Sequence, residues 1–154
     1  MNVLMVTSSY PKYPGDVTAP FIESIARGVA ARGHAVDVVL PYHAELRRAK
    51  DEPVRFFPYH YAPVPSWNQW GYAQSLSADV KVKRLVYALA PLVAWALRRE
   101  LASRLLERRY DVVHVHWVVP NGVFVRGILK AHGLPVVISP VSYTHLTLPT
   151  NREV

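Results

Sequence analysis

The residues best suited to chemistry are two histidines, His114 and His116, inside the stretch Tyr110-Asp-Val-Val-His-Val-His-Trp-Val-Val-Pro-Asn-Gly122. A neutral imidazole both donates and accepts hydrogen bonds, titrates near neutrality and can ligate a metal. Val112, Val113 and Val115 around them are β-branched and apolar, which favours a strand buried on both faces over a helix or a loop. Residues two apart in a strand share a face, so both rings point the same way. His116 falls at the carboxyl end, where ligands bind in doubly wound sheets, and Trp117 and Asn121 follow it in a turn closed by Gly122. A plainer reading makes His114 a satisfied core histidine and Trp117 a packing residue. A zinc site would need a third protein ligand, and neither a cysteine nor a His-x-x-x-His or carboxylate spacing nearby supplies one.

The elements that must position this stretch can be read along the chain. Val3 to Val6 predicts a first strand, followed by a long turn holding Ser8, Ser9, Pro11, Pro14, Gly15 and Asp16. Thr18 is the expected N-cap of a helix with Pro20 in its first turn, and Phe21, Ile25, Ala26 and Val29 recur at helical spacing up to Gly33. Ala35 to Leu40 is the second strand, and the resulting βαβ unit makes the two strands parallel neighbours. Val54 to Phe57 is a possible third strand. The proline-rich region around it, with Tyr42, Tyr59, Tyr61, Trp67, Trp70 and Tyr72, reads as a long ordered loop that either packs over the core or forms a binding wall.

From Ala78 to Arg109 the pattern is helical, with Pro91 separating Val80–Ala90 from Leu92–Arg108. The apolar run Leu85 to Leu97 is thirteen residues long, short of the ~20 that span a bilayer. Arg98, Arg99, Arg104, Arg108 and Arg109 outnumber Glu100 and Glu107 there. That arm reads either as a solvated face on a core helix or as a peripheral contact for anionic lipid head groups. Val123 to His132 is expected to be a helix ended by Gly133, and Pro135 to Ile138 another strand. The fold class that follows is α/β, a Rossmann-like parallel sheet with helices on both faces. No internal repeat is present.

Composition narrows the function classes. A chain of 154 residues that is 51% hydrophobic and 19% charged suits one globular domain with a real core. The absence of cysteine excludes a disulfide scaffold, a thiol nucleophile and a zinc–thiolate site, and it fits a reducing compartment, with the cytoplasm as the default location. The amino terminus has no basic region ahead of its apolar run, so it reads as a strand and not as a signal peptide. A net charge of +7 favours an anionic partner: a phosphate-bearing small molecule, a membrane surface or nucleic acid. Nucleic acid is the weakest of these, since no reader motif or stacking platform accompanies the basic residues. An NAD-binding domain would need Gly-x-Gly-x-x-Gly after the first strand and an acidic residue after the second, and neither is present. A Gly-x-Ser-x-Gly elbow of a serine hydrolase is also missing.

From Pro140 the texture changes. Val141 to Thr150 resembles, codon by codon, a translation of the transposase adapter end used in shotgun sequencing libraries. The expectation is a domain over residues 1–139 and a non-native read-through tail over 140–154. Arg152 and Glu153 cancel, so the +7 belongs to the rest of the chain.

The βαβ opening, the long Tyr10-to-Ala19 loop, the helix running from Pro20 into Ala31-Arg-Gly-His-Ala-Val36, and Asp111-Val-Val-His-Val-His-Trp with Pro120-Asn-Gly122 together resemble the amino-terminal domain of family 4 glycosyltransferases. The resemblance implies half of a GT-B enzyme. In such an enzyme two Rossmann-like domains face each other across a cleft, the first mainly holding the acceptor and the second the nucleotide-sugar, with retention of anomeric configuration and no essential metal. His116, Trp117 and Asn121 then become acceptor-binding residues. The loop after the first strand, Pro14-Gly-Asp-Val-Thr18, becomes the donor-phosphate loop, with Gly15 and Asp16 at its tip. A turn leading into a helix amino terminus presents N–H groups to an anion, although Gly15 stands alone where the family has paired glycines and Asp16 would repel a diphosphate. The family's histidine in a His-Gly context is expected just after Ser139, where this sequence departs, and the second domain is expected beyond it. The partners implied are a nucleotide-sugar and a glycan or lipid-linked acceptor; peripheral contact with an anionic membrane is an expectation from the basic arm alone, and no nucleic acid is expected because no reader motif accompanies the charge. The fragment by itself is expected to be inactive, and the catalytic residues stay unassigned.

Overall fold

Short runs of valine and leucine, separated by helical stretches, assemble here into one parallel sheet. The computed structural model describes residues 1–68, 70–72 and 88–140. Its strands are β1 (Asn2–Val6), β2 (Ala35–Pro41), β3 (Val54–Tyr59), β4 (Val112–His116) and β5 (Val136–Ser139), in the spatial order β3-β2-β1-β4-β5. Every adjacent pair is parallel. Helix α1 spans Pro20–Ala30, α2 spans Ala90–Glu107 and α3 spans Val123–Ala131.

The period-2 alternation of the strands divides the core into two layers. Leu4, Val6, Val39, Val113 and Val115 pack with Val93, Leu97 and Leu101 of α2 and with Val125 and Leu129 of α3. Val3, Met5, Val36, Val38 and Leu40 pack with Ile22 and Ala26 of α1. Helices therefore cover both faces, as the βαβ pattern requires. Each fully buried side chain of this kind contributes roughly 1.5–3 kcal/mol. One carboxylate, Asp37, is buried in β2. It is compensated by the Arg55 guanidinium, whose Nε lies 2.7 Å from Oδ1, and by the Tyr110 hydroxyl, which donates to Oδ2 over 2.6 Å.

Several expectations shift. Helix α1 begins after Ala19, which adopts a left-handed conformation (φ 47°), and no side chain caps it. Thr18 is not the cap because its hydroxyl donates to Asp16 Oδ1 over 2.9 Å, shaping the preceding turn instead. The buried stripe of α1 is centred on Ile22 and Ala26, which leaves Phe21 exposed toward the sheet's carboxyl edge. β3 continues past Phe57 through Pro58, which an edge strand tolerates because it needs no outward ladder donor. Pro91 falls in the first turn of α2, where its missing N–H costs nothing, so it starts this helix. The expected helical segment from Val80 lies mostly outside the described residues, as do residues 141–154.

The aromatic loop packs over the core. Tyr59, Tyr61, Ala62 and Trp70 belong to the α2-side cluster. Asn68 folds the loop on itself, its Nδ2 donating to the carbonyls of Ala62 (3.3 Å) and Val64 (3.2 Å). The Tyr61 hydroxyl accepts from Trp70 N–H at 2.6 Å and donates to the Trp67 carbonyl at 3.2 Å.

Candidate functional site

In this strand order the chain leaves β1 toward β2 on one side and returns to β4 on the other, so the boundary between β1 and β4 is the topological switch point. Ligands of open α/β sheets bind outside the carboxyl ends of the strands at such a boundary. Thr7, Ser8 and Ser9 leave β1 there, and His116 and Trp117 leave β4.

Asn121 ties the two exits together. Its Oδ1 accepts from Ser8 Oγ over 2.9 Å, and its Nδ2 donates to the His116 carbonyl over 2.9 Å. The Ser8 hydroxyl proton therefore rests on an amide oxygen, which is not a base, so Ser8 is not an activated nucleophile. From the other side Gly71, at φ +80°, presses on the Ser8 carbonyl so closely that an added Cβ would lie 1.6 Å from the oxygen. The aromatic loop thus reaches the switch point through its one residue without a side chain.

The turn after β4 is held in a sparsely populated conformation. Trp117 has φ 62° and ψ 108°, outside the ordinary range of a bulky residue. Its N–H donates to the Ser139 carbonyl at 3.1 Å and its carbonyl accepts from Gly122 N–H at 3.3 Å. Its indole lies edge-on to Phe21, with ring centroids 6.3 Å apart, joining the α1 amino terminus to the turn.

The two histidines share a face, with ring centroids 4.1 Å apart. His114 is half-buried, and its Nε2 lies 2.8 Å from Ser139 Oγ, so it has a partner without being part of the core. His116 is 0% exposed, and neither of its ring nitrogens has a hydrogen-bond partner among the described residues. Burial, and then the neighbouring His114, push its pKa down to about 4, so the ring is neutral at physiological pH. A buried N–H without a partner costs roughly 1–3 kcal/mol, which makes His116 the least satisfied polar group at the switch point.

Trp117 and Asn121 are buried as well. The predicted acceptor-side residues thus lie beneath the surface at the switch point, with Asn121 bracing the two strand exits. The predicted donor loop lies at the same edge of the sheet, beyond β1. Gly15 (φ +88°) is exposed, and a Cβ there would meet nothing within 4 Å. Asp16 turns its carboxylate inward, accepting from the N–H of Lys12 (2.9 Å), the N–H of Thr18 (3.1 Å) and the Thr18 hydroxyl. Burial alone would push its carboxyl up, but these hydrogen bonds and the Lys12 charge together hold it below the usual range. Its lone pairs are committed to the turn, so it shapes that loop.

Ser8 and Gly71 were not singled out from sequence. The signals available were a hydroxyl residue just past the first strand and a glycine wedged between Trp70 and Tyr72.

The model of the glycosyl transferase 4-like domain matches residues 18–152 of this chain. No curated protein matches it. Among solved structures, the chain is similar to the glycotransferase of kitacinnamycin, with a TM-score of 0.56 at 20% identity, covering 89% of this chain and 29% of that one. It is similar to a ugt transferase from Siraitia grosvenorii in complex with UDP, with a TM-score of 0.52 at 14% identity, covering 89% of this chain and 27% of that one. It is also similar to the C-terminal domain of a Pyrococcus furiosus hydrogenase, with a TM-score of 0.55 at 14% identity, covering 90% and 89%. At these identities the likeness establishes the fold. The chain spans less than a third of the two transferase structures.

Proposed function

This chain belongs to the glycosyl transferase 4-like domain family, and on that premise we propose that it forms the acceptor-side half of a retaining glycosyltransferase. The whole enzyme would move a sugar from a nucleotide-sugar donor to a glycan or lipid-linked acceptor. The observation that carries this reading is the brace across the switch point, where Asn121 joins Ser8 to the His116 carbonyl beside an imidazole with no partner among the described residues.

Retaining transfer needs the leaving diphosphate stabilised while the acceptor hydroxyl is held close on the same face. In a two-domain enzyme those groups come from opposite walls of a closed cleft, and this chain supplies one wall. His116 contributes a neutral ring able to donate to or accept from a hydroxyl, Trp117 a flat apolar surface suited to a sugar face, and Asn121 the amide that sets the spacing between the two strand exits. Because all three are buried here, engagement of an acceptor requires the turn from 117 to 122 to open, and the positive-φ backbone of Trp117 is the place where such a turn releases strain. The Gly15 turn borders the donor side, with the Asp16 carboxylate folded into the turn by the N–H groups of Lys12 and Thr18. No metal is required in this reading, and transfer takes place on the cytoplasmic side.

In the enzyme carrying both domains, His116→Ala lowers kcat more than His114→Ala does. Equal tolerance of the two substitutions would remove His116 from the site.

A further inference from the structure

The two edges of the sheet are built differently. At β3 the carbonyl of Tyr59 accepts from the N–H of Tyr42 at 2.9 Å, so by alternation Val54, Phe56 and Pro58 turn their main-chain groups outward. Pro58 has no N–H to offer there, and Arg55 adds a charge to the strand, two devices that keep an edge from pairing. β5 has neither. Its sequence is Val-Val-Ile-Ser, with Val136 42%, Val137 50% and Ile138 47% exposed. A strand of a parallel sheet is ordinarily covered on both faces.

The carbonyls of Pro135 and Ser139 accept from the N–H groups of Val113 and Trp117. The same alternation therefore turns the N–H and C=O of Val136 and Ile138 to the open side, where among the described residues no strand pairs with them. By register, Val136 and Ile138 share the face of Val113 and Val115, which α3 covers, and Val137 shares that of His114. Between α3 and β5 runs an apolar groove of about 580 Å³, with Val123, Leu129, Val136 and Ile138 in its walls and the exposed Arg126 and Lys130 along it.

We propose that β5 is an association edge for a second copy of this chain, with the two β5 strands pairing antiparallel about a two-fold axis at Val137. Val136 of each strand then lies opposite Ile138 of the other, and each such pair exchanges both of its N–H···O bonds. A ladder centred further along would meet Pro140, which has no N–H. The two Val137 side chains meet on one face of the joint, and on the other the two apolar grooves become continuous. β5 carries no charged residue, so pairing it with itself brings no like charges into the ladder, while Arg126 and Lys130 of the two copies oppose each other further out. The blunted β3 edge gives β5 nothing to join head to tail, so the assembly closes as a pair and does not grow as a fibre. A strand of 4 residues with its groove buries less than the ~1,200 Å² of a standard interface, which makes the pair weak and reversible, in the micromolar-to-millimolar range. The inference uses only the outer edge of β5, so its failure would leave the transfer reading intact.

The test is sedimentation velocity of the 154-residue chain from about 10 µM to about 500 µM, with residue-resolved amide hydrogen exchange at both ends of that range. The sedimentation coefficient is expected to rise reversibly from monomer toward dimer, and further at about 0.5 M salt than at about 0.1 M, because salt screens the opposed cations. The amides of Val136 and Ile138 are expected to exchange quickly at the low concentration and slowly at the high one, while those of Val137 and Ser139, turned toward β4, stay unchanged. Val137→Lys sets two ammonium groups face to face at the axis and is expected to weaken association by about tenfold or more. Its monomer keeps the parent thermal midpoint, since Val137 is half-exposed. Trp95→Ala, on the exposed side of α2, leaves association as it is. A chain that stays monomeric throughout would overturn the proposal, as would protection of Val136 and Ile138 already present in the monomer. So would association that salt abolishes, or that Trp95→Ala removes and Val137→Lys does not.

Discussion

Ser8 Oγ donates to Asn121 Oδ1 across 2.9 Å, joining residues 113 apart in sequence at the boundary between β1 and β4. The same amide donates back to the His116 carbonyl, so one side chain sets the separation of two strand exits. Asn121→Ala removes both bonds and leaves a buried carbonyl and a buried hydroxyl to find other partners. The expected loss of stability is about 2–3 kcal/mol, against about 1 kcal/mol for Ser8→Ala. Chemical denaturation of the two single variants and the double variant checks this. The double variant should fall short of the sum, because both changes remove the same bond.

Gly71 and Gly15 share a positive φ but differ in surroundings. At Gly71 an added methyl meets the Ser8 carbonyl at 1.6 Å, whereas at Gly15 it meets nothing within 4 Å. Gly15→Ala should cost only the conformational strain of about 1–2 kcal/mol. Gly71→Ala must also displace backbone, and its thermal midpoint should drop by several degrees more than that of Gly15→Ala. Equal midpoints would show that the loop does not seat on Ser8.

Acid should loosen the fold through His116. Its folded pKa, about 4, lies below the ordinary value of 6.5. The unfolded chain therefore takes up the proton more readily, and the contribution of this residue is complete above about pH 6.5. It is lost as pH falls toward 4, to the extent of about 3 kcal/mol. His114 is lowered by burial too and acts in the same direction. Urea midpoints measured between pH 7 and pH 4 should fall steeply in the parent chain and less steeply in His116→Gln.

How much of this could be read from the chain depended on whether the determinant was local. The strands at Val3–Val6, Ala35–Leu40, Val112–Val115 and Val136–Ile138 were legible because β-branched runs bounded by glycine and proline have few alternatives, and each appears within a residue or two of its predicted limits. The shared face of His114 and His116 followed from the same periodicity. The start of α1 was misplaced because Asp16 competes for the Thr18 hydroxyl, a contest that composition cannot rank. The seat of Gly71 on Ser8 and the brace from Asn121 join segments far apart in sequence, and no local pattern encodes such contacts. The depth of His116 escaped for a similar reason, since its cover comes from elements that the strand pattern does not place. The aromatic loop could be read as core or as wall, and the capping of its own backbone by Asn68 decided for the core.

The central claim is that this chain is one wall of a two-domain transferase. It is tested most directly by following transfer of labelled sugar from a nucleotide-sugar, first with the isolated chain and then with the protein carrying both domains. The account predicts no transfer by the isolated chain and turnover by the two-domain protein, reduced more by His116→Ala than by His114→Ala. Transfer by the isolated chain, or a two-domain protein in which His116→Ala turns over as fast as the parent, would contradict it.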